Sequence, residues 1–237
     1  MHNRKLDVCL SPELFHLYDH KDRVVIVTDI LRATSCMTTA MAYGVNSITP
    51  VATVEECIEL QNSGMICAAE RGGEKVEGFE LDNSPYSYMN PDLRGQDIGV
   101  TTTNGTMAIT KSADALQVLA GSFLNISALA DYLKTVDSDL LIFCAGWKGK
   151  FNLEDTLFAG ALANMLSDSH EAECDAVLAS GMLYDQVKDD LQNALKDSSH
   201  VQRLKRLNID KDIAFCLTRD EYQAIPVLKD GKLVLLK

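Results

Sequence analysis

Short apolar runs separated by polar loops mark the first two-thirds of the chain. Six of these runs combine apolar and β-branched residues and are bounded by turn formers, a pattern typical of buried strands. They lie at residues 24–28, 47–51, 65–69, 98–103, 118–121 and 140–144.

Helical patterns follow most of these runs. The clearest begins near Asn152, a residue type that caps helices, and repeats apolar residues at helical spacing as far as Leu166. Thr53 stands three residues before Glu56, which predicts a capping box at the start of another helix. Strands alternating with helices predict an α/β protein, a layered α/β/α fold with a mainly parallel or mixed sheet covered on both faces. The predicted helices are 35–43, 54–63, 126–136 and the segment after Asn152.

The remaining segments are less regular. Residues 170–217 have a mostly helical pattern, and 224–228 is predicted to pair with 232–236 in a hairpin. Residues 71–95 are rich in Gly, Asn, Ser and Pro, which predicts a long ordered loop of the kind usually kept for function. His16 and His20 are expected to share one face of an N-terminal helix. We treat residues 1–237 as a single domain, in which the strand–loop–helix rhythm suggests two similar halves without revealing a boundary.

The charge and the residue composition limit what this protein can bind and where it can be found. The 237 residues carry a formal net charge of −12 and no Lys/Arg-rich run, so we expect no nucleic acid partner and instead a small molecule. Seven cysteines, an odd number without C-x-x-C spacing, favour reduced thiols over disulfides or zinc. The N-terminus lacks an apolar signal segment, and no apolar run approaches the roughly 18 residues of a membrane helix. We therefore expect a cytoplasmic protein with no membrane partner. The sequence is compatible with a homodimer but does not determine the oligomeric state.

Two predicted strands are each followed by an acid and an arginine. Asp29 and Arg32 follow one strand, and Glu70 and Arg71 follow another. A carboxylate there can bind Mg²⁺, which prefers one or two carboxylates plus substrate oxygens, and an arginine can clamp a phosphate or sulfonate. For Asp29 and Arg32 the alternative is a purely structural ion pair between the two side chains at the strand end. Ligands of α/β sheets bind beyond the carboxyl ends of strands, where these residues lie.

Hydroxyl and amide side chains supply further donors. The segment 101–106 carries four threonines, and successive N–H groups at a helix start form a concavity suited to phosphate oxygens. Its Asn-Gly pair is also a hairpin signal, but the residues that follow suit a helix better. In residues 83–85 a plain turn is the alternative to donor groups. The candidate substrate ligands from both segments are Asn83, Ser84, Thr103, Asn104, Gly105 and Thr106.

Acidic residues also open the helix after Asn152. Glu154 and Asp155 in a first turn each stabilise the helix dipole by roughly 0.3–1 kcal/mol. That role is compatible with Asp155 acting as a catalytic carboxylate, so the segment alone decides nothing.

Two phosphatase classes fit poorly. Cys144 begins a loop like the C-x₅-R loop of cysteine phosphatases, but Lys150 stands where an arginine is needed for bidentate phosphate binding. The loop at Asp29 lacks the second acid of the D-x-D motif of haloacid dehalogenase phosphatases, because Leu31 occupies that position.

The same loops closely resemble those of the 2-phosphosulfolactate phosphatase family. The resemblance implies a layered α/β/α fold and a Mg²⁺-dependent phosphatase that hydrolyses 2-phospho-3-sulfolactate to sulfolactate on a route to coenzyme M. Asn125, which ends one matching stretch and precedes the predicted helix 126–136, completes the substrate candidates. The stretches follow the family's order: TDILRAT (28–34), AAERGG (68–73), GFELDNSP (78–85), TTTNGT (101–106), GSFLN (121–125), CAG (144–146) and FNLEDTLFAG (151–160).

We therefore expect a phosphoric monoester hydrolase. Asp29, Glu70 and Asp155 are the candidate metal ligands or bases, while Arg32 and Arg71 would each offset one anionic group of the substrate. These groups should converge in one pocket. Attack by water and a covalent aspartyl or seryl phosphate both remain open. The second hypothesis is a non-catalytic sensor of a phosphorylated or sulfonated metabolite, against which the three carboxylates weigh.

Overall fold

The apolar runs pair into one mixed sheet. The computed structural model describes residues 4–237, and eleven strands of this part form a single sheet. In chain order they are β1 Lys5–Cys9, β2 Val24–Thr28, β3 Ser47–Pro50, β4 Ile66–Arg71, β5 Glu74–Lys75, β6 Asp97–Thr101, β7 Gln117–Gly121, β8 Leu140–Cys144, β9 Glu171–Ala172, β10 Pro226–Lys229 and β11 Lys232–Leu235.

Two parallel groups of strands flank a central hairpin. Across the sheet the order is β5-β4-β6-β3-β11-β10-β7-β2-β8-β1-β9. Strands β4, β6 and β3 are mutually parallel, and so are β7, β2, β8, β1 and β9. The hairpin β10–β11 is antiparallel to β7 on one side and to β3 on the other. The predicted mixed sheet and the predicted C-terminal hairpin are confirmed.

Helices cover both faces of the sheet. In chain order they are α1 Ala33–Ala42, α2 Val54–Asn62, α3 Gly105–Lys111, α4 Ile126–Thr135, α5 Leu153–Leu166, α6 Asp175–Val187, α7 Leu191–Leu195, α8 Ser199–Lys205 and α9 Asp210–Cys216. Along β2, Val24 and Ile26 pack into one apolar cluster with residues of α4, α5 and α6, and Val25 and Val27 pack into another with α1 and α3. A strand buried on both faces lies in the middle of three layers, as predicted.

Several local predictions can be compared with these elements. The capping box of Thr53 and Glu56 is present at the start of α2, and 170–217 is mostly helical, as α6 to α9 show. In the described part of the chain no helix is long and apolar enough to span a membrane. The 71–95 loop contains β5 and two short 3₁₀ helices, Pro85–Met89 and Pro91–Leu93.

Two predictions are wrong in detail. His16 and His20 do not share a helix, because the chain makes a single 3₁₀ turn at Phe15–Leu17 in which only Phe15 is buried, and a helix this short gains little stability without packing against the core. Glu70 and Arg71 belong to the end of β4 rather than to a loop, since the chain reverses at Gly72-Gly73 and pairs β4 with β5. Both glycines have positive φ, 70° and 97°, as a two-residue hairpin turn requires.

The twist of the sheet brings the two groups of strand ends together. β6 and β2 lie five steps apart in the sheet and run in opposite directions. At roughly 20–25° of twist per step they rotate by roughly 100–125° relative to each other, and twist bends diagonally opposite corners of a sheet toward the same face. The chain leaves both strands on that face, into α1 after β2 and into α3 after β6. As a result Gly105 lies directly against Asp29.

Candidate active site

Asp29 is fixed at the end of β2 by the first turn of α1. Its backbone N–H donates to Thr34 Oγ1 (3.0 Å), and its carboxylate Oδ1 accepts from the backbone N–H of Ala33 (3.3 Å). A Cβ on Gly105 would lie 2.5 Å from Ala33 Cβ and 2.9 Å from Asp29 Oδ2. Only glycine therefore permits α3 to begin so close to this carboxylate.

Glu70 lies opposite, at the end of β4. Its Oε1 accepts from the backbone N–H of Gly73 (2.5 Å) and from the hydroxyl of Thr103 (3.0 Å), and its Oε2 accepts from the backbone N–H of Thr103 (3.1 Å). The two donors of Thr103 are thus directed at a protein carboxylate. They hold Glu70, which is 4% exposed, in one orientation.

A small polar cavity connects these two acids. Its volume is about 10 Å³, which is room for about one water molecule. Residues at the ends of β2 and β4, which lie in different halves of the sheet, and residues of α8 all line this cavity. The lining residues are Asp29, Leu31, Arg32, Glu70, Gly73, Asn83, Asn104, Trp147, His200 and Leu204.

A larger groove at the other end of β2 offers no comparable chemistry. It has a volume of about 470 Å³ and is lined mainly by apolar residues such as Val24, Leu116 and Val227, with Lys229 as its charged group. The small cavity is the better candidate because it gathers carboxylates, an imidazole and a guanidinium.

His200 extends from α8 into the cavity, and polar side chains on the far side of its ring fix its orientation. Its Nδ1 lies 2.5 Å from Glu154 Oε1 and 3.2 Å from Asn152 Nδ2. With Nδ1 engaged, Nε2 is the ring nitrogen left for the cavity. Glu154 is fully buried, and its Oε2 has no hydrogen-bond partner within residues 4–237. The pair of His200 and Glu154 is therefore strongly polar and lies in surroundings of low dielectric constant.

Asp155 ties two strand-end loops together. Its Oδ1 accepts from the backbone N–H of Ile30 (2.9 Å), just after β2, and its Oδ2 accepts from that of Gly146 (3.0 Å), just after β8. Both carboxylate oxygens are committed to backbone donors, and Asp155 does not line the cavity. It lies behind Asp29 and fixes the loop that presents it.

Arg32 is buried at 3% exposure and closes the cavity toward α9. Its Nη1 pairs with Asp212, and its Nη2 donates to the carbonyl of Gly73 (2.9 Å). Ser84 donates its hydroxyl to the same aspartate, at 3.1 Å from Oδ1. The predicted arginine and serine are thus linked through a residue of the C-terminal segment.

Three more of the predicted residues do not line the cavity. The guanidinium of Arg71 donates to the carbonyl of Glu70 (2.6 Å) and to Thr101 Oγ1 (2.9 Å). Asn125 is fully buried, and its amide caps Ser122 and donates to the carbonyl of Ala224 (2.8 Å). Thr106 donates its hydroxyl to the carbonyl of Thr102 (3.2 Å). Each has a local structural role in this geometry.

Asn83 and Asn104 are placed to contact a ligand. Both line the cavity. Asn104 accepts at Oδ1 from the backbone N–H of Lys148 (3.0 Å), which leaves its NH₂ group as a donor. Asn83 Oδ1 is buried and has no hydrogen-bond partner among the described residues.

The buried acids repel one another. Burial, followed by the charge of Glu70, raises the pKa of Asp29 to about 6, against which His200 acts in the opposite direction. Burial and the neighbouring charges of Glu154 and Asp29 raise the pKa of Asp155 well above its ordinary value, although its two backbone N–H donors oppose this. A cation in the cavity would relieve this concentration of negative charge.

The comparisons with known proteins agree on one family. The family model described as 2-phosphosulpholactate phosphatase matches residues 9–231 of this chain. The chain belongs to the 2-phosphosulfolactate phosphatase family. The resemblance seen in the strand-end motifs is confirmed, and the family name is that of a phosphoric monoester hydrolase.

Members of this family from three bacteria cover most of the chain. A protein of Caldanaerobacter subterraneus subsp. tengcongensis is 42% identical over 90% of this chain and 90% of its own length. One of Thermotoga maritima is 39% identical over 90% and 92%, and one of Clostridium botulinum is 34% identical over 98% and 100%. Each is named "Probable 2-phosphosulfolactate phosphatase".

Sequence reasoning missed the contribution of the C-terminal third. His200 and Asp212 carry no local motif, and only the tertiary fold brings them to the strand ends. The position of Glu154 in the first turn of a helix predicts only an interaction with the helix dipole. Trp147 follows β8 in a Gly-flanked loop, so the rule that ligands bind beyond strand ends could have identified it.

Proposed function

We propose that this protein is a phosphatase that hydrolyses the phosphate monoester of a small sulfonated or carboxylated metabolite, with 2-phospho-3-sulfolactate as the first candidate. The observation that carries the proposal is the pair Asp29 and Glu70. The two acids come from opposite halves of the sheet and line the same cavity, together with an imidazole and an asparagine. The names of the relatives supply the substrate.

The donor set fits a magnesium ion held by two carboxylates. Within residues 4–237 no set of three or more His, Cys, Asp or Glu side chains is arranged to hold a metal. Mg²⁺ binds through one or two carboxylates and takes its other ligands from water and phosphate oxygens. Asp29 and Glu70 suit that role because they line the cavity, whereas Asp155, which does not, would act as the anchor of the Asp29 loop. When bound, Mg²⁺ would offset phosphoryl charge and lower the pKa of the attacking water.

His200 is the group placed to handle the leaving alcohol. Hydrolysis adds water to phosphorus and breaks the bond to the ester oxygen, which must gain a proton. Glu154 holds Nδ1 of His200, so Nε2 can deliver that proton from within the cavity. The NH₂ group of Asn104 would orient a phosphoryl oxygen, and Asn83 Oδ1 would accept a hydrogen bond from a water in the cavity.

The rival function is a sensor that binds such a metabolite without hydrolysing it. Phosphate release separates the two proposals directly. The purified protein should release phosphate from a panel of small phosphomonoesters, and excess chelator should abolish the reaction until Mg²⁺ is restored. Full activity in chelator, with no tightly bound metal by elemental analysis, would refute the metal-dependent mechanism. Binding of 3-sulfolactate without any phosphate release would favour the sensor.

The placement of these steps on a route to coenzyme M is a further part of the proposal. It rests on the substrate in the relatives' names, since sulfolactate is the product that such a phosphatase would form.

A further inference from the structure

Arg203, on α8, carries hydrogen-bond donors that nothing in residues 4–237 satisfies. Its Nε and Nη2 are both buried and without a partner. These two nitrogens form one edge of the guanidinium, the edge whose parallel N–H groups match two oxygens of a carboxylate, sulfonate or phosphate. Burying such a fork without a partner is costly, so an absent acceptor is the simplest reason for its orientation.

The fork lies beside the cavity. The guanidinium carbon of Arg203 is 3.7 Å from the centroid of the Trp147 ring, and Trp147 lines the cavity. Two other residues of the same segment, His200 and Leu204, also line it. Burial lowers the pKa of Arg203, while the charges of Glu154 and Glu70 act in the opposite direction. The guanidinium is therefore within electrostatic reach of an acid that faces the cavity.

The other two arginines considered for the site are already engaged. Arg32 is paired with Asp212 and donates to the carbonyl of Gly73. Arg71 donates to the carbonyl of Glu70 and to Thr101. In a chain of net charge −12, a substrate with two or three anionic groups needs a cation near each of them. Arg203 offers a fork that is free of such commitments.

We propose that Arg203 is a specificity-determining residue that binds a second anionic group of the substrate, a carboxylate or a sulfonate, through Nε and Nη2. The proposal rests on the phosphatase function proposed above, because that substrate carries such a group beside its phosphate. Trp147 would hold the guanidinium plane by stacking, so that little side-chain freedom is lost on binding.

The ester needs more room than the cavity offers, and a groove of about 220 Å³ that shares Arg32 and Gly73 with the cavity adjoins it. A space of about 10 Å³ cannot hold a phosphosulfolactate. The segment that carries Arg203 forms the roof, since a Cβ on Gly73 would lie 2.9 Å from Leu207 Cδ1 and 3.4 Å from Leu204 Cδ2. The same segment lines both spaces, so Arg203 is close to any anionic group of the ester that extends beyond the cavity.

An internal ion pair is the main competing explanation. Glu154 Oε2 is buried without a partner as well, and a small shift could join it to Arg203. In that case Arg203 would only neutralise Glu154, and its loss would affect all substrates alike. The experiment below separates these cases.

The test compares Arg203→Met with Lys205→Met, an exposed residue of the same helix that undergoes the same change of charge. We would measure kcat/KM for 2-phospho-3-sulfolactate, for 2-phospholactate and for phenyl phosphate. Arg203→Met should reduce the preference for an anionic ester over phenyl phosphate by about 10- to 100-fold. Loss confined to 2-phospho-3-sulfolactate would assign the fork to the sulfonate, and loss for both anionic esters would assign it to the carboxylate. Lys205→Met should keep the wild-type preference. Equal losses for all three esters, or no loss, would overturn the proposal.

A binding measurement tests the anion site at Arg203 independently of the proposed phosphatase function. If the wild-type protein releases no phosphate from any ester, the phosphatase function fails, and calorimetry with 3-sulfolactate then tests Arg203 alone. Binding that weakens about 10-fold or more in Arg203→Met would support the anion site. Equal binding by both proteins, or none by the wild type, would refute it.

Discussion

Replacing Asp29 by asparagine should stabilise the protein while abolishing its activity. The carboxylate is 6% exposed and lies close to the charge of Glu70, and its pKa is raised to about 6 from an ordinary value of 3.8. An acid whose pKa is raised in the folded state binds its proton more tightly there than in the unfolded chain. The stability that it contributes is present below about pH 4 and is lost as pH rises through about 6.

The size of the effect follows from that difference. Two units of pKa correspond to roughly 2.7 kcal/mol at 1.36 kcal/mol per unit, and relaxation of the site reduces this to about 1–2 kcal/mol. Asparagine is nearly isosteric and can still accept from the Ala33 N–H. For a chain of this size, 1 kcal/mol shifts Tm by about 2–4 °C. Asp29→Asn should therefore melt about 2–8 °C above the wild type at pH 8 in chelator.

The assay is thermal unfolding of both proteins in chelator at pH 4, 6 and 8. The difference in Tm should be largest at pH 8 and much smaller at pH 4, where the folded carboxyl is protonated and the unfolded one, with its ordinary pKa of 3.8, is only about half ionised. Added Mg²⁺ should raise the Tm of the wild type more than that of the variant, because ligand binding stabilises the folded state by mass action. A variant that melts below the wild type at pH 8, or a difference that does not depend on pH, would refute the reasoning.

Three further variants test other parts of the site. Cys144→Ser should retain most activity, because burial raises the pKa of this thiol well above its ordinary value and the residue does not line the cavity; a loss near 10³-fold in a folded variant would restore the cysteine as nucleophile. Gly105→Ala should destabilise the protein by about 1–3 kcal/mol in thermal unfolding, because its Cβ would lie 2.5 Å from Ala33 Cβ; an unchanged Tm would contradict the close packing. His200→Asn should lower kcat for alkyl phosphates by about 10²–10⁴-fold and for aryl phosphates much less, since only the alkoxide needs a proton; equal losses would argue against proton delivery by His200.

Local patterns were sufficient for most of the core. The run at 24–28 is apolar on both faces because β2 lies between two helix layers, and the hairpin at the C-terminus carries its own turn signal. The sequence could not show that this hairpin inserts at the centre of the sheet. That placement depends on pairing with β3 and β7, which are far away in the chain.

Local patterns likewise identify some residues of the candidate site, whereas others are brought there only by tertiary packing. Asp29 and Glu70 could be selected because each follows an apolar run at a strand end. Arg71 fits the same rule, yet its side chain is directed to Thr101, and no spacing rule distinguishes the two faces of a strand end. His200 and Asp212 reach the site only because α8 and α9 fold back over it, which is a property of tertiary packing.

The most direct test of the account is phosphate release from 2-phospho-3-sulfolactate by the wild type, Glu70→Gln and Glu77→Gln in the presence of Mg²⁺. Glu77 is exposed and undergoes the same change of charge seven residues along the chain. We expect the wild type and Glu77→Gln to release phosphate at similar rates. Glu70→Gln should lose at least about 100-fold, since even partners beyond the metal ligands are worth 10–100-fold. No release by the wild type, or full activity in a folded Glu70→Gln variant, would contradict the claim that Asp29 and Glu70 form the centre of a phosphatase site.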